Sequence, residues 1–247
     1  KKGCKWIGTG SGLFMADKDS FLFSKVNEVG YDWIFDIFED REGNLWFASM
    51  GSGVWKHNPQ ANSFEKYINK EGEPNSLSSN SVSSVMQDSK GRIWLSTDRG
   101  GICRYNAETN DFTSFSIKEG LPDDVAYEIL EDDAHNLWFG TNKGLVKFNP
   151  ETKDIHVFTT KDGLLGNQFN YKSALKVGDG RFFFGGINGL IAFDPNISRQ
   201  QLAPPSPIYI SKFSIYNKEI TVHTPNSPLK KNIVGTEEIV LPYNQSN

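Results

Sequence analysis

A short motif that opens with tryptophan recurs along the chain and constrains its fold more than any other feature. Four copies are Trp6-Ile7-Gly8-Thr9, Trp46-Phe47-Ala48-Ser49, Trp94-Leu95-Ser96-Thr97 and Trp138-Phe139-Gly140-Thr141, and Phe183-Phe184-Gly185-Gly186 is a degenerate fifth. Successive copies start 40 to 48 residues apart. A period of about 40–50 residues is typical of β-propeller blades, each of which buries its faces only against its neighbours.

Each repeat divides into four short strands separated by tight turns. In the third repeat the strands are predicted over 82–86, 92–97, 101–105 and 112–117, with a turn at Asp88-Ser89-Lys90-Gly91. Residues 82–86 alternate apolar and polar side chains, as a half-buried strand does. No segment shows a convincing apolar pattern at helical spacing. The sequence therefore predicts an all-β fold, a β-propeller of four-stranded blades with about five repeats present.

Not every repeat is complete. Three whole blades are predicted at about 31–69, 78–118 and 123–160, a unit without its first strand at 4–26, and a unit of about three strands at 170–195. Propellers normally close by pairing their terminal strands within one blade, because open sheet edges invite aggregation. The end units supply no such closure, so we expect part of a larger ring whose further blades precede Lys1.

The residues that repeat in every blade are interpreted as structural. An Asp side chain caps turn amides well, and an acid that recurs in each blade, as Asp40, Asp88 and Asp132 do, cannot form a single catalytic centre. A Trp on the second strand of each blade is expected to fill the wedge between adjacent blades.

Several segments resemble the two-component regulator propeller repeat. They are Gly-Asn-Leu-Trp-Phe at 43–47, Asn-Leu-Trp-Phe-Gly-Thr at 136–141, Gly-Leu-Val-Lys-Phe-Asn-Pro at 144–150 and Gly-Leu-Ile-Ala-Phe-Asp-Pro at 189–195, with the connecting segments 119–122 and 162–164. The resemblance covers about residues 4–195. Propellers of this family usually close with seven blades, so the resemblance implies that these repeats belong to a seven-bladed ring.

The resemblance also implies a function. Propellers of this family form the extracytoplasmic sensor region of membrane histidine kinases, many of them hybrid kinases of Bacteroidetes that respond to oligosaccharides and switch on glycan-degradation genes. It implies a periplasmic ligand-sensing module whose partner is an oligosaccharide or other small molecule. It further implies a homodimer, and a membrane attachment made only by segments outside this chain.

The carboxy-terminal part of the chain differs from the repeats. Residues 1–200 are assigned to the propeller, 201–207 to a stiff Pro-rich linker, and 208–247 to the incomplete start of a β-sandwich domain. Strands are predicted over 208–215 and 238–247. This region is similar to the opening of the three-tyrosine β-sandwich that follows such propellers.

Phosphotransfer is not predicted for this chain itself. The four histidines, His57, His135, His156 and His223, lie in predicted strands or turns, and none is followed by Glu. The Asp-x-Gly-x-Gly motif that binds ATP in histidine kinases is missing, so we expect no enzyme activity from this chain.

Metal, cofactor, nucleic-acid and membrane-spanning roles are not predicted either. There is no pair of histidines at i and i+4 and no Cys-x-x-Cys, and Cys4 and Cys103, two blades apart, are expected to be free thiols. A net charge of −4 without a run of like charge does not favour nucleic acid. No apolar stretch approaches the roughly 18 residues of a membrane span.

A ligand is expected on the face that carries two sets of loops. These are the turns from second to third strands and the connections from each fourth strand into the next blade, which surround the channel mouth. Sugars are bound by planar aromatic faces together with amides, acids or Arg, and that combination is present here. The predicted ligand-binding residues are Tyr31, Trp33, Arg99, Asn142, Asn167, Gln168 and Asn188.

Two other functions stay open at this point. A propeller enzyme, a lyase or glycan hydrolase, needs a unique acid–base pair, for which only Asp32, Asp98, Asp123 and Asp124 are available. A protein-interaction propeller is the other alternative, although the WD dipeptide typical of one such class is absent.

Overall fold

The chain divides into two compact units, Lys1–Asn196 and Ile197–Asn247. The computed structural model describes residues 3–196, 211–236 and 238–241. Regular structure in these ranges consists of β-strands and short 3-10 turns.

Five antiparallel sheets make up the first unit. The first contains β1 (Lys5–Thr9), β2 (Gly12–Ala16) and β3 (Ser24–Lys25). The second contains β4 (Ile34–Glu39), β5 (Leu45–Ser49), β6 (Val54–Asn58) and β7 (Ser63–Tyr67). The third contains β8 (Val82–Gln87), β9 (Ile93–Thr97), β10 (Ile102–Asn106) and β11 (Asp111–Phe115). The fourth contains β12 (Ile129–Glu131), β13 (Leu137–Gly140), β14 (Leu145–Phe148) and β15 (Ile155–Phe158). The fifth contains β16 (Phe169–Lys176), β17 (Phe182–Gly186) and β18 (Gly189–Phe193).

Strands that follow one another in sequence pair within each sheet. The predicted blades are therefore confirmed: three are four-stranded, and a three-stranded sheet flanks them on each side. The first sheet begins with the motif strand, and the fifth has three strands among the described residues. The seven-bladed ring itself stays a prediction.

The sheets pack face to face in chain order. The innermost strands β4, β8, β12 and β16 contact one another in succession. Four separate hydrophobic clusters lie between consecutive sheets and not within any one of them. This radial stacking of small antiparallel sheets is the blade arrangement of a propeller.

The motif tryptophans lie in these inter-sheet cores, as predicted, and the turn acids hold them there. Trp46, Trp94 and Trp138 are buried. Each indole N–H donates to a carboxylate oxygen six residues earlier, over 2.9 Å to Asp40, 2.9 Å to Asp88 and 2.8 Å to Asp132. The same carboxylates accept backbone N–H groups of their own turn. The acid therefore both caps the turn and fixes the ring.

The last two motif positions also have defined roles. The third is small because the next sheet's inner strand lies against it: a Cβ at Gly140 would come within 2.5 Å of the Cβ of Phe169. The fourth carries a hydroxyl that closes the following turn, as Thr97 Oγ1 does by donating to Gly101 O over 2.9 Å. The motif thus encodes contacts between blades as well as strand identity.

One strand boundary was predicted wrongly. The fourth strand of the third repeat was expected over 112–117, but β11 ends at Phe115. Ser116 then caps the 3-10 turn Ile117–Glu119, because its side chain accepts from Lys118 N while Glu119 accepts from Ser116 N. Thr159 starts the corresponding turn after β15.

The second unit contains one small hairpin among its described residues. Its strands are β19 (Ser214–Ile215) and β20 (Lys218–Glu219), joined by Tyr216 and Asn217, both with positive φ. That geometry is typical of a two-residue hairpin turn. The predicted linker 201–207 lies outside the described residues, as do 208–210 and 242–247 of the predicted strands. Residues 211–213 and 238–241 do not form strands, contrary to expectation.

Two further points concern the whole described chain. Cys4 and Cys103 are free thiols, as predicted. Within the ranges that the structure covers, none of the helices has both the length and the hydropathy that crossing a bilayer requires.

Candidate functional site

Backbone hydrogen bonds bring the two predicted sets of loops together on one face. The turn after β5 is bonded to the connection that enters the third sheet, through Gly51 N to Asn80 O over 3.0 Å. The turn after β9 is bonded to the next connection, through Gly101 N to Asp124 O over 2.7 Å. Each blade therefore presents its turn beside the connecting segment of the following blade, around the inner strands.

An aromatic row crosses this face between the second, fourth and fifth sheets. The ring centroids of Trp33 and Phe35 are 6.2 Å apart, those of Phe35 and Tyr171 are 5.6 Å apart, and those of Tyr171 and Tyr127 are 4.7 Å apart. At the far end, Tyr127 Oη donates to Asn142 Oδ1 over 2.7 Å. We call Trp33, Phe35, Tyr171, Tyr127 and Asn142 the aromatic row.

Both tyrosines of the aromatic row stay neutral at physiological pH. Burial, together with the charges of Asp123 and Asp98, raises the pKa of Tyr127 to about 12. Burial and the negative charge of Asp98 also raise the pKa of Tyr171, although Arg99 acts in the opposite direction. Each phenol therefore retains its proton and can donate a hydrogen bond.

A charged cluster lies on the inner strands next to the aromatic row. Lys172 Nζ is 2.5 Å from Asp36 Oδ1, which joins the fifth sheet to the second. Asp36 Oδ2 accepts from Val85 N of the third sheet over 2.9 Å. Glu128 Oε2 accepts from Ala174 N over 3.4 Å, and burial raises the Glu128 pKa although Lys172 opposes that shift. The cluster ties four sheets together at their inner edges.

The predicted site residues occupy different positions on this face. Trp33 and Asn142 belong to the aromatic row, and the Trp33 side chain is 52% exposed. Tyr31 is highly exposed, with Lys25 Nζ 3.0 Å from its ring centroid. Arg99 is exposed on the turn after β9. These residues line the face but do not form one cluster.

The other three predicted residues support the loops of the fifth sheet. Asn167 Oδ1 accepts from Thr160 N over 2.8 Å, and Asn188 Nδ2 donates to Leu165 O over 3.2 Å. Gln168 is exposed, and its carbonyl accepts from Ile187 N over 3.1 Å. Asn167 and Asn188 thus stabilise the connection and the turn that adjoin the aromatic row.

The carboxylates available to an enzyme are mostly engaged in the fold. Asp32 accepts from Trp55 Nε1 and pairs with Lys66 Nζ at 2.8 Å. Burial alone would raise the pKa of Asp32, but these contacts lower it below its ordinary value. Asp123 accepts from Val125 N and Asp124 from Ile117 N. The part of the chain described here also holds no cluster of three or more His, Cys, Asp or Glu arranged for a metal ion.

Phe35, Tyr127 and Tyr171 were missed by the sequence reasoning, as were their charged neighbours. The sequence does carry a pattern that could have identified them. In three sheets, the inner strand or the segment just before it contains an aromatic residue followed by a charged one. These pairs are Phe35-Asp36, Tyr127-Glu128 and Tyr171-Lys172. The third sheet has two buried serines, Ser83 and Ser84, at the corresponding place.

Known proteins share both the repeats and the fold. The two-component regulator propeller model matches residues 29–51, 76–99 and 120–143. Over 123 residues, the chain is 30% identical to histidine kinase P4 of Formosa agariphila, a match that covers 49% of this chain and 9% of that protein.

Solved structures extend the comparison beyond the repeats. The extracellular domain of a hybrid two-component system from B. thetaiotaomicron is 28% identical with a TM-score of 0.70, covering 85% of this chain and 29% of that one. Virginiamycin B lyase from Staphylococcus aureus is 16% identical with a TM-score of 0.56, covering 80% of this chain and 68% of the lyase, which is a likeness of fold alone. The chain spans less than a third of the kinase and of the extracellular domain that it matches. The chain therefore contains two-component regulator propeller repeats within its first unit.

Proposed function

We propose that this chain is the extracytoplasmic, ligand-sensing part of a membrane-bound hybrid two-component histidine kinase, in the periplasm, and that its ligand is an oligosaccharide. The observation that carries the proposal is the 28% identity, across 85% of this chain, to the extracellular domain of a hybrid two-component system. The regulator-propeller repeats support it independently. Binding would alter the activity of the parent kinase and so the transcription of glycan-utilisation genes.

The aromatic row supports a sugar as the ligand. Sugar rings present apolar C–H faces that stack on aromatic side chains, and their hydroxyl groups need well-placed polar partners. Trp33 offers a half-exposed ring, Tyr171 offers a phenol, and Asn142 offers the NH₂ of its amide, whose oxygen accepts from the buried Tyr127. Asp98, on the turn after β9, adds an acceptor on the same face.

Calorimetric titration of the complete sensor region tests the proposal. The probes are neutral and acidic plant and host oligosaccharides, added one at a time. We expect at least one to bind, and we expect Tyr171→Ala to weaken it about tenfold, the effect of removing one well-packed aromatic contact. Phe21→Ala, which removes an 84% exposed ring in the connection between β2 and β3, serves as the control and should leave affinity unchanged. Failure of every oligosaccharide to bind would rule the function out.

We also propose that the parent signals as a homodimer through its full sensor region. This follows from the resemblance to sensor kinases, and light scattering on the full sensor checks it. A mass equal to one chain at all concentrations, with and without ligand, would contradict it.

A further inference from the structure

A groove of about 680 Å³ lies beside the third sheet, and its residue Asp124 precedes Tyr127 of the aromatic row by three positions. One wall is the connection 69–78 between β7 and β8, and the other is the 3-10 turn at 117–119. Arg99 and Gly100 line it from the turn after β9. We call this the third-sheet groove. Its volume lies within the range of small-molecule sites.

The walls of the third-sheet groove are held in place by the chain itself. Asn75 O accepts from Phe112 N over 2.9 Å, which ties the long connection to the outer strand β11. Within that connection, Asn69 Nδ2 donates to Leu77 O over 2.7 Å and Ser76 Oγ donates to Glu73 O over 2.8 Å. The groove is therefore formed before any ligand arrives.

Most acidic groups of the groove already have partners. Glu119 Oε2 accepts from Ser116 N and Oγ over 2.7 and 2.8 Å, and Asp124 Oδ1 accepts from Ile117 N over 2.8 Å. Glu73 pairs with Lys70 at 3.3 Å. Four carboxylates face three cations here, so the balance of charge does not favour an anionic sugar.

Arg99 differs from its surroundings in two ways. Among the residues that the structure covers, no hydrogen bond or ion pair is made by its guanidinium, although that group carries five N–H donors. Its backbone φ is 71°, in the left-handed region that disfavours a side chain, whereas the turn after β5 has glycine, Gly51, at φ 103°. Backbone strain that glycine would relieve is typical of residues retained for a function.

Arg99 also connects the third-sheet groove to the aromatic row. It lines the groove, and its turn is bonded to the chain that leads into Tyr127, through Gly101 N to Asp124 O over 2.7 Å and Ala126 N to Thr97 O over 2.9 Å. A planar guanidinium fork can donate two parallel hydrogen bonds to neighbouring hydroxyls of a sugar. A chain of sugar units that begins at the aromatic row would reach Arg99 at the entrance of the groove.

We propose that the ligand is an extended, uncharged oligosaccharide, an inference that rests on the proposed function. One end occupies the aromatic row, and a further unit occupies a second subsite in the third-sheet groove, where Arg99 donates to its hydroxyls. Affinity should therefore increase with chain length until both subsites are filled.

The test is a length series on the complete sensor region. Cello-, xylo-, manno- and galacto-oligosaccharides, from disaccharide to hexasaccharide, are titrated by calorimetry into the wild type and Arg99→Gly. In at least one series we expect the longer members to bind the wild type about tenfold or more tightly than the disaccharide. Arg99→Gly should lose that length-dependent gain, and it should melt at a higher temperature because glycine relieves the strained φ.

Lys153→Gly is the matched control. Lys153 also has a positive φ, of 63°, but it lies in the turn between β14 and β15. Its replacement should raise the melting temperature without changing any affinity. Affinity independent of length, or an unchanged length gain in Arg99→Gly, overturns the second subsite while leaving the proposed function intact. Absence of binding at every length overturns both.

Discussion

Asp132→Asn tests the bond between turn and tryptophan on which each blade depends. Asp132 is 3% exposed, and its Oδ1 accepts from Ala134 N and Asn136 N over 3.0 and 2.8 Å. Its Oδ2 accepts from Trp138 Nε1 over 2.8 Å. An amide offers one oxygen only, so its NH₂ group must face either the indole N–H or the two backbone donors.

The expected loss follows from counting orphaned donors. A buried donor without an acceptor costs about 1–3 kcal/mol, and the substitution leaves one or two of them. We therefore expect Asp132→Asn to lower the free energy of unfolding by about 2–4 kcal/mol. In a domain of this size that corresponds to a drop in Tm on the order of 10 °C.

Urea unfolding, followed by tryptophan fluorescence and by circular dichroism, measures the effect. Asp133→Asn is the control, because it makes the same change of charge one residue away. Its carboxylate is 65% exposed and pairs with Lys176 at the surface. We expect a much smaller loss there. Equal losses for the two variants, or a loss below about 1 kcal/mol for Asp132→Asn, would refute the reasoning.

Three other perturbations follow from burial and packing. Burial lowers the pKa of His57, so as the pH falls the unfolded chain binds a proton before the folded chain does. The free energy of unfolding should therefore decrease below about pH 6.5, and His57→Gln should remove that dependence. Burial raises the pKa of Glu128, so the unfolded chain ionises first and stability falls as the pH rises above about 4.3; Glu128→Gln should be the more stable protein at neutral pH. Gly140→Ala should lower stability by about 1–3 kcal/mol, because the new Cβ meets Phe169.

Each of these variants has a control at an open position. His223→Gln and Glu108→Gln make the same exchanges at exposed side chains. Gly178→Ala places a Cβ where no atom lies within 4 Å. The first prediction is contradicted if His57→Gln loses stability at acid pH as the wild type does. The second is contradicted if Glu128→Gln is less stable than the wild type at neutral pH. The third is contradicted if the two alanine variants are equally stable.

The repeat made most of the first unit predictable. Strand order and the burial of the motif tryptophans follow from period, alternation and turn residues, which are local properties. The hydrogen bond from Trp94 Nε1 to Asp88 was not predicted, because it depends on how the turn brings two side chains six residues apart into contact. The end of β11 was missed because Ser116 and Glu119 form a capping box that competes with continued strand.

The candidate site was less predictable than the fold. Sequence reasoning placed it on the loops, whereas the densest contacts come from the inner strands and their entries. β4 shifts register between Ile34 and Asp36, and β16 shifts between Phe169 and Ala174. A bulge changes which side chains face the axis, and alternation along a strand does not reveal it. Trp33 and Asn142 lie on this face because loop position alone places them there, and their ligand-binding role stays a prediction.

The central claim is that the face carrying the aromatic row detects the ligand for a parent kinase. The most direct measurement is induction of a transcriptional reporter by full-length parent kinase in living cells, comparing wild type with Tyr171→Ala at equal protein level. We predict that the inducing oligosaccharide activates the wild type, that Tyr171→Ala loses this response, and that Phe21→Ala retains it. Full induction in Tyr171→Ala, at the same oligosaccharide concentration as in the wild type, would contradict the account.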